Sequence, residues 1–275
     1  MSRDRVSQSG IYALVAGGGL LMVIPFLWMV STSLKTTAQS TAFPPEWWPA
    51  PFVWGNYARI WNFMPFFTLL LNSVKIAFFV VCGQLLTCSL AGYAFAKLRF
   101  PGRRALFLVL LSTMIIPSEV TLIPVFVIMK SLGWLNTHYS LIVPAFFGSV
   151  FGTFLLRQFF LTLPNDLEDA ARIDGCSPFG IYWRIMLPLA KPSLATLAIF
   201  TFMGTWNDFM RPLIYLSDMD KMTLPVGLAL ISNHQDIRIP LIMAGAMLSL
   251  LPILVFYVCG QKYFVRGIAL TGMKG

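Results

Sequence analysis

Apolar residues in this sequence fall into six long runs separated by shorter polar stretches. The runs cover roughly residues 11–33, 69–95, 105–129, 140–161, 194–216 and 240–261. Each can cross the hydrocarbon layer of a membrane, because about 20 helical residues span about 30 Å. The pattern predicts an all-α membrane protein with six transmembrane helices and a single domain over residues 1–275.

The composition supports burial in lipid. Hydrophobic residues make up 57% of the chain and charged residues only 11%, whereas a soluble domain carries about 25% charged residues. A net charge of +9 could suggest nucleic acid as the partner of a soluble protein. In a membrane protein the distribution of charge matters more, and we expect the lipid bilayer and no nucleic acid.

The distribution of lysine and arginine predicts the orientation. If the N-terminus is cytoplasmic, the inner segments hold thirteen of these residues and the outer segments six, with Lys75 near the start of the second run. Positive residues accumulate on the cytoplasmic side of membrane proteins. We therefore expect both termini to lie in the cytoplasm.

The first apolar run follows Arg3 and Arg5, as the core of a signal peptide would. It covers 20 residues from Ile11 to Val30, which is longer than a usual signal core, and no small-x-small cleavage site follows it. We interpret this run as a retained first span.

The sequence offers no set of residues for metal binding or catalysis. The four cysteines form no Cys-x-x-Cys pair, and the two histidines lie far apart. No Gly-x-x-x-x-Gly-Lys-Ser/Thr motif is present, so another chain would have to bind any ATP that drives the protein. We expect no metal, no cofactor and no enzymatic activity.

The first outer loop, residues 34–68, is rich in aromatic residues and proline. Proline prevents the run Phe43–Pro49 from forming a long helix, so we expect an ordered loop. Tryptophan and tyrosine at this density are typical of the membrane interface. The loop either anchors the chain at that interface or forms a landing surface for an external partner.

Residues 162–192 form a polar stretch on the predicted cytoplasmic side. Asn165 is placed to cap a first helix, with Glu168 three residues later as in a capping box. Gly175 suits the left-handed residue that ends a helix. Ser-Pro at 177–178 is typical of an N-cap and a first helical position, and Pro188 would end this second helix. The stretch predicts two short helices joined by a bend.

The first of these helices is acidic and contains small residues. Its charged residues are Asp166, Glu168, Asp169 and Asp174, opposed by Arg172. Anionic lipid head groups would not attract such a helix, whereas the groove of a protein would suit it. The residues alone leave a docking helix and a solvated loop helix equally open.

The same stretch resembles the coupling-loop signature of bacterial ABC-importer permeases. That signature reads Glu-Ala-Ala, three residues, Gly, nine residues and Ile-x-Leu-Pro. The matching residues are Asp169, Ala170, Ala171, Gly175, Ile185, Leu187 and Pro188. Asp169 replaces the glutamate, which keeps the charge but shortens the side chain by one methylene.

Other residues are similar to those of carbohydrate permeases of the maltose and glycerol-phosphate type. They are Asn56-Tyr57, Trp61, Asn72-Ser73, Trp206-Asn207-Asp208, Arg266-Gly267 and the ending Gly272–Gly275. The ending is similar to the tail of the second of the two permeases in such systems. The resemblance extends over about residues 30–275.

The resemblance implies a type I ABC-importer permease fold and a set of partners. The chain would pair with a second permease in the bacterial inner membrane, dock on two cytoplasmic ATPase subunits and receive solute from an extracytoplasmic binding protein. ATP and Mg²⁺ would bind to the ATPases. The solute would be a sugar or a related polyol or glycerophosphate.

The resemblance also implies roles for residues. Asp169, Ala170, Ala171 and Gly175 would form the docking core, flanked by Glu168, Arg172 and Asp174. Ile185, Leu187 and Pro188 would hold the second helix against the bundle. Closure of the ATPase pair would move these helices together with the attached spans. The tail from Gly267 would also touch the ATPases.

Polar residues inside the apolar runs are candidates for the solute pathway, because they are costly in lipid. These candidates are Trp206, Asn207 and Asp208 in the fifth run and Glu119 in the third. Trp206 and Asn207 offer the aromatic face and the amide that suit sugars. Polar side chains also join helices to one another, and Glu119, between two prolines, favours a kink or an interhelical contact.

Two other functions fit the sequence less well. A secondary transporter driven by an ion gradient would need intramembrane carboxylates and often has inverted repeats, and we find no convincing repeat. A membrane enzyme would need catalytic residues clustered near one interface, and the sequence shows no such cluster.

Overall fold

The computed structural model describes residues 2–232 and 238–272. Within these ranges the regular structure is helical, which confirms the predicted all-α class. The helices of the first half are α1 (Ser2–Ser33), α2 (Thr37–Ser40), α3 (Gly55–Phe63), α4 (Phe66–Lys97), α5 (Arg103–Ser112), α6 (Ser118–Ser131) and α7 (Tyr139–Phe147). Those of the second half are α8 (Val150–Thr162), α9 (Asp166–Ile173), α10 (Pro178–Ile181), α11 (Leu187–Leu189), α12 (Lys191–Trp206), α13 (Met210–Tyr215), α14 (Leu224–Ser232) and α15 (Ile239–Gly272).

The described helices supply four to six membrane spans. Four stretches are each long and apolar enough: Leu14–Ser33, Phe66–Lys97, Tyr139–Thr162 and Ile239–Gln261. Two pairs of helices pass the same test but are bent, by 101° between Arg103–Ile115 and Ser118–Ser131 and by 76° between Pro178–Leu189 and Lys191–Trp206. If each bent pair is one span, the total is the predicted six.

Two of the predicted runs are not single helices. The third run breaks at Pro117, and Ile116 before it is extended with φ −78° and ψ 115°, because the ring of a proline disfavours a helical conformation in the preceding residue. The fifth run stops at Trp206, and its remainder forms the six-residue helix α13. Hydropathy alone does not reveal a change in the direction of the backbone.

The chain divides into two compact units. The first comprises Met1–Phe67 and Gly227–Leu251 and the second comprises Thr68–Val226 and Pro252–Gly275. In the first unit, none of the residues of α1 from Leu14 to Ser31 is buried within this chain. The end of α1 is held by Asn56, whose side-chain amide donates to the carbonyls of Ser33 at 2.8 Å and Lys35 at 3.0 Å. The apolar surface of α1 is therefore left for lipid or a partner.

The aromatic loop after α1 forms no long helix before α4, as the prolines predicted. It contains only the short helices α2 and α3, and the run from Phe43 to Pro49 is irregular. Trp47, Trp48 and Trp54 have exposed fractions of 59%, 74% and 67%. Exposed tryptophans fit the membrane interface and an external partner equally well, so both interpretations of this loop stay predictions.

The second unit has a hydrophobic core between α4, α8 and the helices of residues 178–189. Its fully buried members include Leu156, Phe160, Ile181, Tyr182 and Met186. Helices α4 and α8 approach closely at Gly92, where a Cβ atom would lie 2.9 Å from the backbone nitrogen of Arg157. This core positions both of the sites described next.

Candidate functional site

The coupling loop, which we define as residues 162–192, begins with α9. Asn165 precedes α9 but does not cap it, because its own backbone is helical (φ −69°, ψ −25°) and its side chain makes no cap hydrogen bond. The predicted capping box was therefore wrong. The side-chain oxygen of Asn165 accepts instead from Lys97 Nζ at 2.8 Å, so a tertiary contact took the place of a local one.

The bend at Gly175 is confirmed. Gly175 has φ +78°, a left-handed conformation that only glycine adopts at little cost. The N–H of Cys176 donates to the carbonyl of Ala171 at 2.9 Å, and the N–H of Gly175 donates to that of Arg172 at 3.0 Å. These two bonds form a Schellman motif, which ends α9 and redirects the chain.

The second helical segment starts as predicted and ends one residue later. The hydroxyl of Ser177 accepts from the N–H of Gly180 at 3.2 Å, with Pro178 at the first helical position. A π-helical turn, Tyr182–Met186, then joins α10 to α11, which ends at Leu189. Because Pro188 has no N–H and its ring crowds the preceding turn, a wider turn before it relieves the clash.

Helix α9 has an inner and an outer face. The side chain of Glu168 is only 5% exposed and that of Asp169 is 65% exposed. Arg172 lies 3.7 Å from a carboxylate oxygen of each. Ala171 is buried, whereas Ala170 is exposed and Ile173 is 86% exposed. Of the adjacent carboxylates of Glu168 and Asp169, the one presented outwards is therefore that of Asp169, beside apolar surface.

The second helical segment is anchored by residues on one side. Ile181, Tyr182 and Met186 are fully buried, and Ile185 and Leu187 pack against the same core with part of their surface exposed. Pro188 is exposed at the end of the segment. Of the three residues that the resemblance assigns to this packing, the structure therefore places two against the core.

Helix α4 holds the coupling loop at several points. Lys97 is buried. Its Nζ donates to the carbonyl of Leu163 at 2.7 Å as well as to the side chain of Asn165. The hydroxyl oxygens of Ser89 and Tyr182 lie 2.7 Å apart. Sequence reasoning missed these anchors, since Lys97 carried only a signal of orientation and Ser89 none.

A cavity of about 350 Å³ lies elsewhere in the second unit. Its walls come from α4, α7, α8, α12, α13 and the segment before α14, and it is separate in sequence from the coupling loop. Its hydrophilic side chains include Gln84, Thr201, Asp208, Arg211 and Thr223. A volume of about 300–1,000 Å³ is typical of small-molecule sites.

The structure separates the four candidates for the solute pathway. Asp208 lines the cavity. Trp206 is 1% exposed and stacks on Phe202, with 5.4 Å between the ring centroids. The side-chain amide of Asn207 donates to the carbonyl of Met203 in the preceding turn at 2.9 Å. The carboxylate of Glu119 accepts from the hydroxyl of Ser118 at 2.9 Å. Asp208 is thus the member of this set that meets the cavity.

Two further questions from the sequence concern metal ligands and the C-terminal tail. Among the described residues, no three His, Cys, Asp or Glu side chains are grouped so as to hold a metal ion. The backbone of α15 continues to Gly272, while residues 273–275 lie outside the described ranges. The expected contact of the tail from Gly267 with ATPases stays a prediction.

Comparison with known families identifies the chain. A family model described as a binding-protein-dependent transport system inner membrane component matches residues 85–270. The match includes the entire coupling loop and most of the cavity walls. The chain belongs to this family. It is therefore a multi-pass inner-membrane transport permease, and its family is one of transporters rather than enzymes.

Relatives of this permease confirm the resemblance to carbohydrate permeases of ABC importers. The arabinooligosaccharides transport system permease protein of Halalkalibacterium halodurans is 40% identical over 204 residues, which cover 74% of this chain and 73% of the relative. The sn-glycerol-3-phosphate transport system permease protein of Yersinia enterocolitica is 34% identical over 260 residues, 91% of this chain and 92% of the relative.

Solved structures confirm the fold. The permease matches a chain of a bacterial ABC transporter involved in the import of the acidic polysaccharide alginate, with a TM-score of 0.85, 25% identity and coverage of 96% of this chain and 98% of that chain. A second alginate transporter structure gives a TM-score of 0.69 at 13% identity, which bears on the fold alone. The predicted type I ABC-importer permease fold is confirmed.

Proposed function

We propose that this permease is one of two paired membrane subunits of an ATP-driven importer for a sugar or a related polyol or glycerophosphate. The observation that carries the proposal is the coupling loop: two short helices joined at Gly175, with Asp169, Ala170 and Ile173 exposed. Their acidic and apolar surface suits a groove on a soluble partner, which we take to be an ATPase subunit.

The loop has the rigidity that mechanical coupling needs. A force applied to α9 passes to α4 through Lys97, which bonds to Leu163 and Asn165. A force applied to the second segment passes to α4 through Tyr182 and Ser89. Packed cores respond to such displacements by switching between discrete arrangements rather than by bending continuously, so movement of the loop would shift the attached spans.

The remaining partners follow from the family and from exposed surface. Membership of a binding-protein-dependent transport family supports an extracytoplasmic solute-binding protein. The unburied apolar stretch of α1 supports a second permease or lipid on that side. Two ATPase subunits would bind the ATP and Mg²⁺, and both termini of this chain would be cytoplasmic.

In this proposal the two faces of α9 have different roles. Asp169, Ala170 and Gly175, with Arg172 and Asp174 at the edge, form the docking surface. Glu168 and Ala171 face inwards and hold the helix in place, together with Ile185 and Leu187 in the next segment. Because Asp169 is the exposed member of the Glu168–Asp169 pair, the variant Asp169→Glu should retain uptake and Asp169→Ala should reduce it.

Cysteine cross-linking tests the docking surface. In a background in which the native cysteines are replaced by serine, Asp169→Cys and Ala170→Cys should cross-link to the ATPase subunit in membranes. Ser131→Cys, which is also at an exposed position but on the predicted outer side, is the matched control and should not cross-link. Failure of the permease to co-purify with an ATPase, or a cross-link from the control alone, would contradict the proposal.

For the solute pathway we propose that Asp208 contributes to the route through its position in the cavity. Trp206, Asn207 and Glu119 act, in this view, chiefly in packing and helix geometry. Uptake that persists without ATP and depends on an ion gradient would favour a secondary transporter instead.

A further inference from the structure

A smaller cavity of the second unit, the arginine pocket, is lined by three arginines and by apolar side chains. Its volume is about 310 Å³, and its walls are Phe95, Arg103, Arg104, Phe107, Leu108 and Arg157. These residues belong to the end of α4, the first half of α5 and α8. None of the described residues that line it is acidic, so positive charge is concentrated in this pocket.

Arg157 is held in place by contacts that leave most of its donors unused. Its guanidinium lies over the ring of Phe107, 4.0 Å from the centroid, and its Nε donates to the carbonyl of Phe95 at 3.3 Å. A guanidinium has five N–H donors, so four are left in the described chain. Because stacking fixes the plane of the group, these donors point in a set direction, which suits the oxygens of a phosphate.

Arg103 and Arg104 lie in the first turn of α5, where positive charge is unfavourable. The N-terminal end of a helix is the positive end of its dipole, yet this turn contains no acidic residue, and its N-cap Gly102 makes no side-chain cap. Arg103 Nη1 donates to the carbonyl of Leu98 at 2.8 Å, and Arg103 also interacts electrostatically with Arg157. An anion in the pocket would oppose both the like charges and the helix dipole.

No carboxylate of the described chain neutralises these three arginines. The ion pairs among the described residues involve Arg172, Arg211 and Lys221 instead. Arg103 and Arg157 are half-buried, and charges removed from water are normally paired. The pocket therefore favours a negatively charged ligand that is not part of this chain.

One wall of the pocket continues into exposed apolar surface. Leu108 lines the pocket and is exposed, as are Leu106 and Val109 beside it on α5. Helix α5 belongs to one of the two bent pairs that are apolar enough to span a membrane. A soluble anion would use the arginines alone, whereas a phospholipid would also place its acyl chains along this apolar face. Basic pockets between membrane helices suit the head groups of acidic lipids.

We propose that the arginine pocket binds the head group of an anionic phospholipid. Arg103, Arg104 and Arg157 hold the phosphate, and the acyl chains lie against Leu108 and its exposed neighbours on α5. This site is separate from the coupling loop and from the cavity that Asp208 lines, and its occupancy does not depend on which solute is transported.

The test is photo-cross-linking of the full chain, purified with the subunits that accompany it and reconstituted in nanodiscs of phosphatidylcholine. Two probes carry the same photoactivatable group in an acyl chain: a phosphatidylglycerol, which is anionic, and a phosphatidylcholine, which is zwitterionic. Mass spectrometry of peptides measures the labelling of residues 106–109, and the ratio of the two yields removes the contribution of general contact with lipid. We expect the phosphatidylglycerol to label this segment at least about fivefold more, since one arginine near a membrane surface contributes about this factor.

Arg104→Gln is the main variant, and Arg99→Gln is its matched control. The side chain of Arg104 is exposed and makes no hydrogen bond or ion pair in the described chain, so its loss should leave folding intact and lower the preference for phosphatidylglycerol by about fivefold. Arg157→Gln removes the stacked guanidinium and should lower the preference by about tenfold. Arg99 is an exposed arginine near α5 that does not line the pocket, so Arg99→Gln should leave the preference unchanged.

Competition identifies the source of the anion. Unlabelled phosphatidylglycerol should displace the anionic probe, whereas inorganic phosphate and phosphatidylethanolamine should not. Displacement by inorganic phosphate would assign the pocket to a soluble anion and overturn the lipid site. Equal labelling by the two probes in the wild type, or an equal loss of preference in Arg99→Gln and Arg104→Gln, would also overturn it.

Discussion

The coupling loop and the wall of the cavity are both held by α4, but the two regions present different surfaces. At one end of α4, Lys97 and Ser89 bond to the loop, and the exposed face of that loop carries charge. At the other end, Asn72 donates to the carbonyls of Asp220 at 2.8 Å and Met222 at 3.0 Å, and the wall it holds contains the unpartnered hydroxyl of Thr223.

The difference indicates two kinds of site on one helix. The loop satisfies its own backbone and presents a rigid outer surface, as a docking element should. The wall lines a cavity with polar side chains such as Gln84 and Asp208, as a small-molecule site should. Variants of the loop should therefore change ATP-coupled turnover, and variants of the wall should change solute affinity.

The largest expected effect comes from the bend of the loop. Gly175→Val places a β-branched residue at φ +78°, which costs about 1–2 kcal/mol or more. Since each 1.4 kcal/mol is about a tenfold change in population, uptake should fall by about tenfold while the protein still inserts. Gly133→Val, at φ +68° in an open turn outside the loop, is the control and should retain uptake. Equal uptake in both variants would contradict the helix-bend-helix model.

The next effect compares the two ends of α4 directly. Lys97→Met and Asn72→Leu each remove two hydrogen bonds from a buried side chain, and each should lower stability by about 2 kcal/mol, measured by thermal unfolding of the assembled complex. Lys97→Met should lower ATPase stimulation with solute affinity kept, and Asn72→Leu should do the reverse. Equal effects of the two variants on ATPase stimulation and on solute affinity would contradict the assignment of different roles to the two ends of α4.

A smaller effect tests the second anchor of the loop. Tyr182→Phe keeps the buried ring and removes the hydroxyl that meets Ser89 at 2.7 Å, which should cost about 1 kcal/mol of stability and reduce coupling slightly. Tyr93→Phe, whose hydroxyl makes a longer bond of 3.4 Å to the carbonyl of Pro178, should cost less. A larger loss from Tyr93→Phe would show that the anchor is assigned to the wrong residue.

The smallest effect concerns how the stability of the turn at residues 217–223 depends on pH. Lys221 and Asn136 donate to Asp218, each at 2.8 Å, and these bonds lower the pKa of the Asp218 carboxyl below its ordinary value of 3.8. A carboxyl with a lowered pKa stabilises the fold above its ordinary value and loses this contribution as the pH falls through the lowered one. Hydrogen exchange in residues 217–223 should therefore rise at acid pH in the wild type. In Asp218→Asn it should vary less with pH, and an equal dependence would contradict this assignment.

Several features of the fold could be predicted from residues that are adjacent in the sequence. Runs of apolar side chains predict spans because lipid requires long apolar helices, and the bend at Gly175 and the cap at Ser177 depend on backbone preferences of a few adjacent residues. The breaks at Pro117 and after Trp206 were less visible, since the direction of a helix depends on what it packs against. Asn165 shows the same limit, because Lys97, 68 positions away, competed for the side chain expected to cap α9.

The sequence by itself determined that this protein is a helical membrane protein and that residues 162–192 bend between two short helices, because those properties depend on hydropathy and on local hydrogen bonding. Only the tertiary structure decided that Asp169 faces outwards while Glu168 is buried, since the rotation of α9 depends on its packing against the core. It alone also assembled the cavity, whose polar residues at 84, 201, 208 and 223 come from segments far apart in the chain. Their proximity in space is not encoded in local sequence patterns.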